Sequence, residues 1–208
     1  MRGVGGRTTF GTMGARAIRA LLLASVAAAV PASLLWRGRS GVAASCAVAL
    51  VGAVGLPRLF RRAGLQISGL LEILWLLPFA ACWGLGEGWA LFERIGWWDH
   101  LAHASGGLMA FALFRAWARP RLSAGPAALA AVSVLVALAI GAAWEIGEFA
   151  SDTWLGTATQ AGNTDTMLDL VWDGAGACIG ALAVLGSTAR WPAFMTRLPL
   201  LPLRRRGA

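Results

Sequence analysis

Six apolar stretches run along the chain, and short clusters of Arg, Gly and Pro separate them. Each stretch is close to the length of about 20 mostly apolar residues that an α-helix needs to cross a bilayer. The pattern therefore predicts an all-α, polytopic membrane protein of about six transmembrane helices. The predicted spans are 17–36, 41–57, 66–83, 100–118, 126–149 and 167–187.

The polar intervals between the spans are short, so no water-soluble domain is predicted. We expect a basic tail at 1–16, a six-helix membrane domain at 17–187 with its functional core at 66–187, and a second basic tail at 188–208. Both tails are expected to be mostly unstructured.

The first span also resembles a signal peptide, because arginines precede an apolar run that ends near "AAAVPAS". The run continues to Trp36, however, and is closed by Arg37 and Arg39. A retained helix is the favoured interpretation, and cleavage would not change the orientation of the later helices.

The amino-acid composition argues against a water-soluble globular protein. Of the 208 residues, 58% are hydrophobic and 13% are charged, whereas soluble domains carry about 25% charge. The net charge is +8, and all eighteen basic residues are Arg. Most of them lie in short clusters beside apolar runs, which is typical of membrane topology signals and not of a nucleic-acid groove. The expected partner is the lipid bilayer, with no nucleic acid, and the expected location is a membrane that the chain crosses several times. The three cysteines, Cys46, Cys82 and Cys178, lie in apolar segments without a CxxC spacing, so we expect neither a disulfide nor a thiolate metal site.

The arginine distribution predicts the orientation. With a cytoplasmic N-terminus and six alternating helices, all of the eighteen arginines except Arg37, Arg39 and Arg94 fall on the cytoplasmic side. Cytoplasmic loops carry such an excess of basic residues, so both termini are expected to be cytoplasmic. On the same map, both histidines and every acidic residue except Glu72 lie toward the outer face.

Three short motifs meet at that outer face. The fourth predicted span opens with a pair spaced i, i+4, the fifth ends with a pair spaced i, i+3, and the sixth opens with an i, i+4, i+8 stripe. Residues at these spacings share one helix face. The candidate catalytic residues are Asp99, His103, Glu145, Glu148, Asp165 and Asp169, and the secondary candidates are Asp173, His100, Glu72 and Arg94.

Ordinary structural roles explain several of these residues. Asp99 and Asp165 are suited to cap helix N-termini. Glu148 could be solvated beyond the end of its helix, and His100 points about 100° away from Asp99, toward lipid head groups.

Such roles do not explain Glu145, Asp169 and Asp173, which lie within apolar sequence. A charged side chain there costs about 2.5–3.5 kcal/mol on insertion scales. We therefore expect a shared polar cavity that contains a cation or shared protons. A divalent metal ion would fit the ligand types, and the candidate metal ligands are Glu145, Asp165, Asp169 and His103. Shared protons, or partial neutralisation by the outer arginines, are the metal-free alternatives.

Together these motifs resemble the YjdF-like bacterial inner-membrane proteins, with a looser likeness to VanZ-type membrane proteins. The resemblance covers roughly residues 65 to 185. It rests on Asp99 with His103, on Glu145 with Glu148, and on the loop "TQAGN" followed by an Asp-x-x-x-Asp pair. The resemblance implies the membrane fold and these site residues, but no reaction, since the activity of the family is unassigned.

Three functions remain open at this level. The first is a metal-assisted hydrolase or transferase that acts on a lipid or lipid-linked substrate, with His103, oriented by Asp99, as general acid or base. The second is a proton- or cation-coupled transporter, which would be favoured if Glu72 lined the same cavity. The third is a non-catalytic scaffold or an accessory protein in envelope stress or antibiotic resistance. The sequence sets neither the substrate nor the oligomeric state.

Overall fold

A computed structural model describes residues 9–35, 38–62, 64–65 and 67–186. The second predicted tail, residues 1–8 of the first tail, and Arg37 lie outside the described residues. Every regular element in the described part is helical, so the all-α prediction is confirmed there. The elements are α1 (Thr9–Leu35), α2 (Ser40–Arg62), α3 (Gly69–Phe79) continued by a π-helical segment (Ala80–Glu87), α4 (Leu91–Arg94), α5 (Trp98–Ala118), α6 (Pro126–Leu155) and α7 (Asn163–Gly186).

Five helices of the described part are long and apolar enough to cross a membrane. They are α1, α2, α3 with its π-helical segment, α6 and α7. The predicted span 100–118 corresponds to α5, which is not among the five. Its first turns contain Asp99, His100 and His103, which lower its apolar character. The protein is thus a multi-pass membrane protein with five candidate spans.

Helices α1, α6 and α7 extend beyond their predicted ends, because the polar residues there continue the helix. Residues 9–16, assigned to a tail by the sequence, form the beginning of α1. Helix α6 continues past the predicted end at 149 to Leu155, because the first residue that breaks it is Gly156, in the left-handed conformation with φ +67. Helix α7 begins at Asn163, before the predicted 167.

The helices α5, α6 and α7 pack against one another through small residues. A methyl group on Gly107 of α5 would overlap the main chain of Asp173, and one on Gly176 of α7 would overlap the main chain of Ala104. A methyl group on Gly180 would overlap the ring of Phe111. These glycines let the two backbones approach, as the small-xxx-small spacing at Gly176 and Gly180 predicts.

The π-helical segment was not predicted, because an apolar run does not reveal a change of helix type. Its backbone hydrogen bonds include that from the Gly88 N–H to the Trp83 oxygen at 3.1 Å, and two of its carbonyl groups accept a bond from outside the segment as well. Two side chains from other elements bind them. The Trp98 Nε1 donates to the Ala81 oxygen at 2.9 Å, and the Cys46 Sγ donates to the Trp83 oxygen at 3.4 Å.

Helix α3 lies between two groups of helices and defines the two ends of the bundle. It contacts α1 and α2 on one side and α5 on the other. Because residues 88–97 join α3 to α5, the end of α3 and the beginning of α5 lie at one end, here called the histidine end since it holds His103. The beginning of α3 lies at the opposite end with Arg16, Arg19, Arg58 and Arg61, here called the arginine end.

Candidate metal centre

Four carboxylates surround the imidazole of His103 at the histidine end. We call this set, which consists of His103, Asp99, Glu145, Asp169 and Asp173, the histidine group. The Nε2 atom lies 3.7 Å from Asp99 Oδ1 and 3.8 Å from Asp169 Oδ1. It lies 4.0 Å from Glu145 Oε1. The other ring nitrogen, Nδ1, lies 3.5 Å from Asp173 Oδ2. Three helices therefore direct acidic side chains at one histidine.

Helical spacing explains how the chain assembles this group. Asp99 and His103 are separated by one turn of α5, and Asp169 and Asp173 by one turn of α7. Glu145 faces them from α6, and a methyl group at Gly141, one turn earlier, would overlap the carboxylate of Asp173. The glycine thus provides the space in which Asp173 reaches His103.

The group is buried except for Asp99, whose side chain is 37% exposed, and two of its oxygens have no partner. His103 has 11% of its side chain exposed, and Glu145, Asp169 and Asp173 have less. Among the described residues, Glu145 Oε1 and Asp169 Oδ1 are buried without a hydrogen-bond donor. A buried acceptor left unsatisfied costs about 1–3 kcal/mol, more when it is charged. Both oxygens face His103 Nε2, so that position needs a cation or protons.

No arginine of the described part forms an ion pair with these carboxylates. Arg39 instead pairs with Glu93 at 2.8 Å, outside the group. Arg94 is exposed, and Arg37 is not described. The prediction that outer arginines neutralise part of the group thus finds no ion pair to support it.

The arrangement fits the donor set of a divalent metal ion. Donor atoms of Asp99, His103 and Asp169 all lie within 4.8 Å of one another. Ligand atoms bound at about 2.0–2.2 Å from one ion are separated by similar or slightly shorter distances. Glu145 Oε1 provides a fourth donor beside Nε2. Asp173, on the opposite ring nitrogen, has the position of the carboxylate that orients a metal-binding histidine.

The remaining predicted site residues lie outside this group. The Glu148 Oε1 accepts from Trp144 Nε1 at 2.8 Å, and the Asp165 Oδ2 accepts from the Ala161 main-chain N–H at 3.0 Å. Neither carboxylate comes within ion-pair distance of His103. His100 stacks on Trp172 with ring centroids 5.2 Å apart.

Glu72 lies at the arginine end, where it forms ion pairs with Arg19 and Arg61. It belongs to a different polar site from His103. Of the secondary candidates, only Asp173 joins the histidine group.

Gln160, which was not among the predicted site residues, fixes the orientation of Glu145. Its Nε2 donates to Glu145 Oε2 at 3.4 Å, to the Glu145 main-chain oxygen at 3.2 Å and to Thr166 Oγ1 at 3.1 Å. With Oε2 held by Gln160, Oε1 is left to face His103. The Asp152 carboxylate supports the loop by accepting from the main-chain N–H groups of Thr159 and Gln160. The polar loop "TQAGN" was the only sequence signal for this role.

The fold and site define a multi-pass α-helical membrane protein with a buried carboxylate–histidine group. The chain belongs to the family described as "Predicted membrane protein (DUF2238)", whose sequence model matches residues 18–190. The resemblance to YjdF-like proteins is confirmed, because those proteins are this family. No curated protein and no solved structure matches the chain.

Proposed function

We propose that the protein is a membrane metalloenzyme, a hydrolase or transferase that acts on a lipid or lipid-linked substrate. The observation that carries this proposal is the pair of buried, unpartnered oxygens, Glu145 Oε1 and Asp169 Oδ1, that face His103 Nε2. A divalent ion between them would satisfy both oxygens and balance the negative charge. A mixed imidazole and carboxylate set suits first-row ions such as manganese or zinc.

In this proposal, His103 is a metal ligand through Nε2 and not the general acid or base that its sequence context suggests. Asp99, Asp169 and Glu145 complete the donor set, and Asp173 holds Nδ1. The ion would polarise a phosphoryl or carbonyl oxygen and activate a bound water molecule.

The proton acceptor in this proposal is one of the two outer carboxylates, Glu148 and Asp165. Each lies one turn nearer to the end of its helix than Glu145 and Asp169, respectively. A substrate that approaches from the histidine end would therefore meet them first.

The proposal includes a sixth span and an orientation. Helix α5 is about 31 Å long at 1.5 Å per residue, close to the hydrocarbon thickness of about 30 Å, and it packs against α3, α6 and α7. With α5 spanning the bilayer, both termini are cytoplasmic, and 17–187 forms one membrane domain. The arginine end then faces the cytoplasm, as the positive-inside rule expects, and the metal centre opens outward from a bacterial inner membrane.

The position of Glu72 favours this function over a proton- or cation-coupled transporter. A relay needs polar groups that continue from Asp173 toward the arginine end. Glu72 was the acidic residue suited to that task, but it is held by Arg19 and Arg61. In the part of the chain that the structure describes, no other acidic residue lies toward that end.

Metal analysis of the purified protein tests the proposal. We expect about one equivalent of a first-row divalent ion per chain, lost in Glu145→Gln and in Asp169→Asn. Asp152→Asn is the control, because that carboxylate serves the loop and not the histidine group. Absence of metal after reconstitution with manganese or zinc, or equal metal in all variants, would contradict the metal centre.

The enzymatic part is tested separately with the metal-loaded protein. Wild type and Glu145→Gln are incubated with a total membrane lipid extract, and water-soluble products are followed by mass spectrometry. We expect products only with wild type and only with metal. If the protein binds stoichiometric metal but forms no metal-dependent product, the proposed metal centre is supported and the proposed enzymatic activity is contradicted.

A further inference from the structure

A second polar site lies at the arginine end, in a cavity of about 330 Å³ between α1, α2 and α3. We call it the arginine pocket and define it by the charged residues that line it. They are Arg16 and Arg19 of α1, Arg58 and Arg61 of α2, and Glu72 of α3. Four guanidinium groups face one carboxylate, so three positive charges have no counter-charge within the pocket.

Glu72 pairs with two of the four arginines, and the other two have no carboxylate partner in the pocket. Glu72 is largely buried and forms ion pairs with Arg19 and Arg61, which ties the three helices together. Arg58 donates one N–H to the Val54 oxygen of its own helix at 2.6 Å. Within the described residues, neither Arg58 nor Arg16 forms an ion pair, and both are exposed. Their guanidinium groups can therefore bind an anion that enters the pocket.

The pocket changes from charged to apolar along each helix. On α1 the lining continues from the arginines to Leu23, and on α2 from Arg58 to Ala53. On α3 it continues to Trp75, whose Nε1 donates to the Ala53 oxygen at 3.1 Å and joins α3 to α2 at the inner wall. A cationic mouth above an apolar wall matches an anionic amphiphile more closely than a fully hydrated anion.

We infer that the arginine pocket binds a phosphate group, and that its apolar wall favours an anionic phospholipid over a free phosphate as the source. A guanidinium group is planar and can donate two parallel N–H hydrogen bonds to two oxygens of one phosphate. Basic pockets between membrane helices on the cytoplasmic side recognise anionic lipid head groups. The inference is independent of the metal centre, which lies at the other end of the bundle.

Lipid titration of the purified full-length protein tests this inference. The probes are phosphatidylglycerol, phosphatidylcholine and inorganic phosphate, and binding is read by native mass spectrometry. We expect tighter binding of phosphatidylglycerol than of phosphatidylcholine. Affinity should fall about 30-fold in the double variant Arg16→Gln/Arg58→Gln, at about one factor of five per arginine near a membrane surface.

Arg62→Gln is the matched control, because Arg62 is exposed at the same end of α2 but does not line the pocket. Failure of excess inorganic phosphate to displace phosphatidylglycerol would support the phospholipid source. Full displacement by inorganic phosphate would assign the pocket to a free phosphate and overturn that source. Equal binding of the two lipids, or equal affinity in the double variant and in Arg62→Gln, would contradict phosphate binding in the arginine pocket.

Discussion

The Nδ1 atom of His103 lies 3.5 Å from the Oδ2 atom of Asp173. This contact is on the opposite side of the ring from Nε2, which faces Asp99 and Asp169. A carboxylate beside Nδ1 favours the tautomer that has its proton there, which would leave the lone pair of Nε2 to bind the proposed metal ion between the ring and the other carboxylates. Asp173 therefore serves as a positioning residue for the imidazole.

Asp173→Asn should weaken divalent metal binding about 10- to 100-fold. The amide keeps the size of the side chain but loses the charge that orients and polarises the imidazole. Affinity is measured by competition with a chromophoric chelator, and Asp152→Asn is the control. Unchanged affinity combined with a lower melting temperature would show that Asp173 has only a packing role.

Gly107→Ala should lower the free energy of unfolding by about 1–3 kcal/mol, because its methyl group would overlap the main chain of Asp173. Gly106→Ala is the neighbouring control, since its methyl group would meet only Asp173 Oδ1 at an ordinary 3.7 Å. Alanine is otherwise the better helix former by up to about 1 kcal/mol, so the control should be neutral or stabilising. Thermal unfolding in detergent measures both. Equal melting temperatures would contradict the close packing of α5 against α7.

The sequence predicted that Asp99, Glu145 and Asp169 lie near His103, but it did not separate these residues from Glu148 and Asp165, which lie outside the group. Apolar runs of spanning length predict the helices, and the i, i+4 spacing of Asp99 and His103 predicts a shared face. A carboxylate inside an apolar run has a high cost unless it has a partner, which explains why Glu145 and Asp169 were expected in one cavity.

The prediction gave Asp165 more weight than Asp173, whereas Asp173 contacts the imidazole. All three aspartates of α7 share one face, so spacing alone does not select between them. The selection depends on where α5 and α7 cross, which the close contacts at Gly107 and Gly176 determine. The small-xxx-small spacing at Gly176 and Gly180 indicates a close helix contact, but a single sequence does not show which residues of the other helix it meets.

Trp98→Phe should destabilise the protein by about 0.5–1.5 kcal/mol, because the Ala81 carbonyl of the π-helical segment would lose the hydrogen bond from Trp98 Nε1. Trp97→Phe is the matched control, since Trp97 is 58% exposed and a phenyl ring can replace it at the surface. Chemical or thermal unfolding in detergent compares the two variants. If both unfold alike, the Trp98 bond does not stabilise the π-helical segment.

The proposed orientation predicts opposite labelling at the two ends of α6. In a variant with Cys46, Cys82 and Cys178 replaced by Ala, a membrane-impermeant maleimide should label Ala158→Cys on intact spheroplasts. It should label Ser123→Cys only after permeabilisation. Both positions are exposed, so access depends on the membrane alone. The physical reason is the arginine excess at the end that contains the α5–α6 connection, which retains that end in the cytoplasm. Reversed labelling would place the histidine group at the cytoplasmic face, and labelling of both positions in intact spheroplasts would show that α6 does not span the bilayer.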